Sequence, residues 1–169
     1  MKNGKGKQLG VTFIELIIVI AIIGIFAAIA APTYSRWHKR YKAENSIKLL
    51  YSKLQWIRTE SYVEKTAWGI YWGNSNPFSS CEIRKDANGD GDVNDGTDTV
   101  AETISLPFEI THTGSSLSTT FNGRGLCNTT LSLYINDQTI SPEYSCIAIS
   151  KTRIKMGQWD ENKKQCIIR

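Results

Sequence analysis

The stretch 86–97 has the residue types and the spacing of a loop that could bind calcium. Carboxylate and amide oxygens stand at its alternate positions, at Asp86, Asn88, Asp90, Asp92 and Asn94. Gly91 takes the sixth position, where a calcium loop turns sharply. The twelfth position, which should supply a bidentate glutamate, is Thr97 instead. We therefore predict a solvated hairpin turn and no cofactor, with calcium at Asp86, Asn88, Asp90 and Asp92 as the alternative.

The C-terminal segment 151–169 is strongly basic. Asp160 and Glu161 are outnumbered there by the bases Lys151, Arg153, Lys155, Lys163, Lys164 and Arg169. Because the first three bases alternate, a strand would direct them to one face, and Lys163 and Lys164 would follow after a turn at Gly157. Such a row, with Trp159 nearby for stacking, could bind the phosphate backbone of DNA. The alternative, which we favour, is a solvated strand face.

The cysteines indicate disulfides rather than a metal site. They are Cys81, Cys127, Cys146 and Cys166, and no pair of them has CxxC spacing. With only two histidines in the chain, a zinc site is not indicated. An even number of cysteines in an exported domain is typical of an oxidising compartment. Among the three pairings, we predict Cys81–Cys127 and Cys146–Cys166, because the second bond would join a C-terminal hairpin locally.

The composition suits one membrane segment followed by one modest domain, and it offers no catalytic group. The 169 residues carry a formal net charge of +4, and three of those positive charges are Lys2, Lys5 and Lys7. Neither histidine, His38 or His112, lies beside a cysteine or in a triad motif. We therefore predict that the chain is not an enzyme.

An apolar run near the N-terminus has the length of a membrane span. From Val11 to Ala31 the only strongly polar side chain is Glu15, and Pro32 closes the run. As a helix, these residues would measure roughly 30 Å, the thickness of the hydrocarbon core of a bilayer. An ionisable group in such a helix indicates function and needs a partner. Cleavage after Gly10 would create one, the α-amino group of Val11.

The segment that follows, 33–65, is predicted to continue the same helix in amphipathic form. Ile47, Leu50, Leu54 and Ile57 recur at three- and four-residue spacing, which places them on one face. We predict one helix from about Thr12 to about Glu64, with a bend or kink near Pro32.

From residue 66 to residue 169 the pattern changes to short strands separated by turns. Trp68, Ile70 and Trp72 alternate with Gly69, Tyr71 and Gly73, which predicts a strand with large aromatic side chains on one face. A second strand is predicted at Cys81–Arg84. Further strands are predicted at Val100–Leu106, Phe108–Thr113, Leu117–Phe121, Leu131–Ile135, Ser145–Ser150 and Arg153–Met156. Such a series favours antiparallel sheets. The fold class is therefore α+β, with a long N-terminal helix packed on antiparallel β-sheets.

The segment Gly10-Val11-Thr12-Phe13-Ile14-Glu15-Leu16 resembles the processing site of type IV pilins and type II secretion pseudopilins. The resemblance implies that residues 1–10 are a prepilin leader and that a prepilin peptidase cuts after Gly10. It also implies N-methylation of Val11 and a role in filament assembly for Glu15. Residues 11–32 would then be the transmembrane and assembly half of the helix.

Four later blocks sharpen this resemblance, and they resemble the H-type pseudopilin and FimT/FimU minor-pilin family. They are Trp68-Gly69-Ile70, Asp86 to Gly91, Phe121-Asn122-Gly123-Arg124-Gly125, and Cys146 to Ser150 followed by Arg153-Ile154-Lys155. The resemblance implies a subunit that initiates or caps a type IV pilus or a type II secretion filament. Its partners would be other pilin or pseudopilin subunits, the prepilin peptidase and the bacterial inner membrane. It would cross that membrane once, with a periplasmic C-terminal domain, before entering the filament. The alternative is a minor pilin that binds DNA for uptake through Lys151, Arg153, Lys155, Lys163 and Lys164.

Overall fold

The chain folds as one long helix followed by antiparallel strands. This computed structural model describes residues 12–137 and 139–168. Helix α1 spans Phe13–Glu64, close to the predicted limits, and its assignment continues through Pro32. The strands of the described residues are β1 (Trp68–Tyr71), β2 (Phe78–Lys85), β3 (Thr99–His112), β4 (Ser118–Phe121), β5 (Leu131–Tyr134), β6 (Cys146–Ile149), β7 (Ile154–Asp160) and β8 (Gln165–Ile168). The predicted leader 1–10, with Gly10, and Val11 lie outside the described residues.

The chain divides into two compact units, and the boundary lies after His38. The first contains the start of α1, where the N–H of Glu15 donates to Thr12 Oγ1 at 3.3 Å. Threonine is a favoured N-cap because its hydroxyl accepts from an N–H that lacks a partner within the helix. The apolar side chains that follow are exposed, as in Phe13 at 79% and Ile29 at 68%. By length and composition, α1 is the one described helix able to cross a membrane.

In the second unit, the predicted stripe of α1 packs on the sheet. Ile47, Leu50, Leu54 and Ile57 are fully buried and belong to the main hydrophobic cluster. Ser46 is buried with them, and its hydroxyl donates to the carbonyl of Lys42 at 3.1 Å while accepting from the N–H of Phe108 at 2.9 Å. The helical periodicity therefore predicted the buried face, and the fold class is confirmed.

The sheet has the strand order β4-β1-β2-β3-β5-β6-β7-β8, and every neighbouring pair is antiparallel. The 14-residue strand β3 joins the two halves, because β2 pairs along it and β5 pairs with its last residues. The two strands predicted over this segment are one strand. Its pairing with β2 jumps from Ser80↔Ser105 to Phe78↔Ile110, which leaves Pro107 in the unpaired part. A proline is tolerated there because it has no N–H to contribute to the ladder.

The predicted turn at Gly157 is wrong, and the hairpin lies further along the chain. Gly157 is inside β7, paired with both Cys146 and Ile168, and the turn spans 161–164. A Cβ at Gly157 would lie 2.1 Å from the carbonyl oxygen of Ile167. The glycine is therefore needed for the close approach of β8, which the sequence analysis did not predict as a strand.

Candidate functional site

The first candidate group is Glu15, in the first turn of α1. Its side chain is exposed on the apolar part of the helix. A carboxylate at this end of a helix is stabilised by the partial positive charge of the unpaired N–H groups. No base of the described residues lies within 4.0 Å of it. Its partner charge would have to come from elsewhere.

The acid-rich stretch 86–98 folds as a turn that is held by its own carboxylates. Asp86 is 6% exposed, and its two oxygens accept from the N–H groups of Gly89 at 2.6 Å and Gly91 at 2.9 Å. The amide of Asn88 donates to Asp95 Oδ2 at 2.9 Å. These turn-favouring residues therefore form the hairpin turn that the sequence predicts.

Asp92 attaches this turn to the sheet. Its Oδ1 accepts from the hydroxyls of Thr120 at 2.8 Å and Ser118 at 3.3 Å, both in β4. The neighbouring Val93 is fully buried, and its side chain packs against Gly69 of β1. Among the described residues, no group of three or more carboxylate, cysteine or histidine side chains is placed to hold a metal ion. Calcium at Asp86, Asn88, Asp90 and Asp92 stays the alternative prediction.

The structure divides the predicted basic row into two separate groups. Lys151, Arg153 and Lys155 are exposed near the start of β7, whereas Lys163 and Lys164 lie in the turn after it. Five or more strand residues, at about 3.3 Å each, separate the two groups. In that turn, Lys163 pairs with Asp160 at 3.9 Å and Lys164 pairs with Glu161. These two lysines therefore have acids beside them, whereas no described acid lies within 4.0 Å of Lys151, Arg153 or Lys155.

Two bases that the sequence analysis did not single out join Lys151. An open cavity of about 580 Å³ is lined by Lys65, Asn122, Gly123, Arg124, Leu126 and Lys151. Arg58 Nε donates to the carbonyl of Gly125 at 3.0 Å, which holds the 122–125 turn against α1. The N–H of Cys127 donates to the carbonyl of Lys151 at 2.9 Å. We call this cavity the basic cleft, because its charged walls are Lys65, Arg124 and Lys151.

Only one of the two predicted disulfides is present. Cys146 and Cys166 are joined, with their Cα atoms 5.8 Å apart, as the sequence predicts. Cys81 and Cys127 are separate buried thiols, so the pairing Cys81–Cys127 is wrong. Cys81 is on β2, whereas Cys127 pairs beside β4, and β1 lies between these strands. At about 4.8 Å per strand, the two cysteines are too far apart for a bond that needs Cα atoms within about 7 Å.

The thiols and the buried histidine have the environments of packing residues. Burial raises the pKa of the Cys81 thiol to about 12, which keeps it protonated and unreactive. His112 is 7% exposed, and its ring lies 5.2 Å from that of Trp72 and 6.3 Å from that of Phe78. Burial lowers the pKa of His112, so the ring is neutral at pH 7.

Comparison with known proteins points to one family. Residues 5–31 match the family model described as the prokaryotic N-terminal methylation motif. A fimbrial protein of Neisseria meningitidis serogroup A is 36% identical over 77 residues, which are 46% of this chain and 45% of that protein. The type IV major pilin protein PilE1 of Neisseria gonorrhoeae is 38% identical over 82 residues, 48% of this chain and 36% of that protein. This chain thus spans less than half the length of these two relatives.

A solved structure shares the fold. The type IV minor pilin FimU of Pseudomonas aeruginosa superposes with a TM-score of 0.52, and the match covers 72% of this chain and 92% of that one. The sequence identity is 16%, so this likeness concerns the fold. With the methylation motif at the start of an apolar helix, type IV pilins among its relatives and the fold of a solved pilin, the chain is similar to type IV pilins in its N-terminal segment and in its fold.

Proposed function

We propose that the chain is a minor pilin, a subunit that initiates or caps a type IV pilus. The observation that carries the proposal is the exposed apolar start of α1, with Glu15 as its only charged side chain. Such a surface is stable in lipid or against identical helices, because water would solvate it poorly. The likeness to the fold of FimU, itself a minor pilin, favours the minor role over that of a major subunit. A pseudopilin of a type II secretion filament is the nearest alternative.

The geometry suggests how the chain would act. A prepilin peptidase would remove residues 1–10, and Val11 would become the methylated N-terminus. α1 would anchor the subunit in the inner membrane, with the β-domain on the periplasmic side. Glu15 would then neutralise the terminal amine of a neighbouring subunit as the helix leaves the lipid. Within this proposal the chain is a structural component and has no catalytic activity of its own.

Mass spectrometry of filaments sheared from cells that produce the chain tests this proposal. The filament fraction is expected to contain the chain, with N-methylated Val11 as its first residue. A chain that remains in the membrane fraction with residues 1–10 attached would contradict the proposal. Recovery of processed chain from the cell envelope, but never from sheared surface filaments, would favour the pseudopilin alternative.

DNA binding is a second candidate function, and the exposed bases around the basic cleft favour it. Lys151, Arg153 and Lys155 are exposed, and Lys65 and Arg124 add two more bases beside Lys151. We propose that this surface contacts phosphates of double-stranded DNA taken up by the cell. Each phosphate contact made by a base should increase the salt dependence of binding.

DNA retardation measures the contribution of these bases. Changing Lys151, Arg153 and Lys155 to alanine is expected to weaken binding by about tenfold or more, because three contacts to phosphates are lost. The matched control changes Lys163 and Lys164, which are paired with acids, and should weaken binding much less. Equal weakening in the two variants, or no retardation of DNA by the original chain, would refute the candidate.

A further inference from the structure

Strand β7 carries an aromatic platform that the proposed function does not use. Trp159 of β7 stacks on Tyr134 of β5, with ring centroids 3.8 Å apart and an angle of 10° between the ring planes. The indole N–H of Trp159 donates to Glu161 Oε2 at 2.7 Å, and its backbone N–H donates to Ser145 Oγ at 2.8 Å. These contacts hold the indole in one orientation before a ligand arrives, which lowers the entropic cost of binding.

Three adjoining cavities begin at this platform. The first measures about 240 Å³, and Trp159 and Glu161 lie in its wall. The same two residues border the second cavity, of about 510 Å³. Asn136 and Asp137 connect the first cavity to the third, of about 420 Å³. Tyr134 borders none of the three, so it supports the indole from behind and leaves the partly exposed remainder of the ring to the cavities. We call the three cavities together the Trp159 groove.

The charges of the Trp159 groove select against anionic ligands. Every charged residue described in its walls is an acid: Glu109, Asp137, Asp160 and Glu161. A phosphate, a sulfate or a carboxylate would therefore meet like charge in the groove. Asp160 and Glu161 already have lysines of the next turn within 4.0 Å, so a chain of cations would have to displace those lysines. An uncharged ligand suits these walls best.

The polar groups of the first cavity match the hydroxyl groups of a sugar. Asn136 is exposed, and its side-chain amide makes no hydrogen bond to a described residue, so both its oxygen and its N–H groups are available. Asp137 Oδ1 accepts from the hydroxyl and the N–H of Thr139 at 2.6 and 2.8 Å, which fixes the carboxylate, while Oδ2 has no described donor. An amide that donates and accepts, beside a fixed carboxylate that accepts, can bond adjacent hydroxyls, which also donate and accept.

We propose that the Trp159 groove binds a neutral, β-linked oligosaccharide of glucose-type rings, with one ring packed on Trp159 and its hydroxyls bonded by Asn136 and Asp137. All hydroxyls of such a ring are equatorial, so both of its faces present C–H groups, which pack on the negative face of an indole. Because a β-linked chain is flat and extended, further rings can follow the adjoining cavities. The groove lies wholly within the second unit, so this binding requires neither a filament nor the basic cleft.

Calorimetric titration of the full-length chain with cellotetraose, a β-linked tetramer of glucose, tests this site. The chain is purified in lauryldimethylamine oxide, because a detergent with a sugar headgroup would itself occupy the groove. Saturable binding is expected, and its dissociation constant should change by less than about twofold between low and high salt, since a neutral ligand makes no ion pairs. Absence of saturable binding overturns this inference and leaves the proposed function standing, because assembly does not depend on the groove.

Two charged tetramers test the chemical class of the ligand. A tetramer of galacturonate, which has rings of the same size with a carboxylate on each, is expected to bind about tenfold or more weakly than cellotetraose, because its charges meet the acids of the walls. Equal affinity for the two tetramers would overturn the inference. Saturable, salt-sensitive binding of tetralysine without any binding of cellotetraose would also overturn it, in favour of a basic peptide.

Substitutions locate the binding in the groove. Trp159→Ala is expected to weaken cellotetraose binding by about tenfold or more, because the sugar ring loses its platform. Asn136→Ala removes an exposed amide that supports no described contact, so the fold is retained, and binding is expected to weaken by about threefold to tenfold. Trp56→Ala and Asn45→Ala, both exposed on α1, are the matched controls and should bind like the original chain. Undiminished binding by Asn136→Ala and Trp159→Ala would show that cellotetraose binds elsewhere and would overturn the inference.

Discussion

Replacing Glu15 with leucine is expected to leave membrane insertion intact and to reduce the chain in filaments by about tenfold or more. A carboxylate at mid-membrane costs on the order of 2.5–3.5 kcal/mol, and less near the interface, so its removal favours insertion. What the variant loses is the negative charge that would meet the amine of a neighbouring subunit. In the described chain Glu15 has no base within 4.0 Å, which agrees with a partner outside the molecule.

Quantitative blotting of membrane and sheared-filament fractions measures this effect. Glu15→Gln retains the size of the side chain without its charge, and it should fail like the leucine variant. Glu60→Leu removes an acid elsewhere on α1 and should assemble normally. Filament incorporation of Glu15→Leu at the level of the original chain would show that the carboxylate has no part in assembly.

The sequence was most informative about α1. The spacing of Ile47, Leu50, Leu54 and Ile57 identified the buried stripe, because a helix repeats every 3.6 residues whatever it packs against. The apolar run that begins at Val11 likewise indicated a helix that could span a membrane. Both predictions depend on local periodicity, which the sequence displays directly.

The errors concern contacts between distant parts of the chain. Nothing in the sequence shows that β1 separates Cys81 from the strand beside Cys127. The role of Gly157 was equally hidden, because a glycine that permits the approach of another strand looks like a glycine in a turn. The order of the strands in the sheet determines both the distance between the two cysteines and the need for a glycine at position 157.

The basic cleft was missed for the same reason. Lys65, Arg124 and Lys151 are far apart in the sequence and converge only when the 122–125 turn packs against the end of α1. The visible row of bases was partly misleading, because Lys163 and Lys164 have acids beside them in the folded turn. The number of bases in a stretch of sequence therefore did not show which of them have no acid beside them on the folded surface.

Loss of the Cys146–Cys166 disulfide is expected to lower the free energy of unfolding of the second unit by about 3 kcal/mol. The bond closes a segment with a sequence separation of 20, and removing it gives the unfolded chain more conformations. The folded state would lose support as well, because β8 is an edge strand with β7 as its single neighbour in the sheet. Ile167 and Ile168 are 43% and 47% exposed, so packing holds β8 only weakly.

Urea unfolding followed by tryptophan fluorescence measures this loss for Cys146→Ser, Cys166→Ser and the double variant in the full-length chain. Either single change already removes the whole bond. The double variant should therefore be at least as stable as the less stable of the two single variants. Reduction of the original chain should lower its midpoint by the same amount, since Cys81 and Cys127 have no disulfide to lose. An unchanged midpoint after reduction would mean that β8 is held by its pairing with β7 alone.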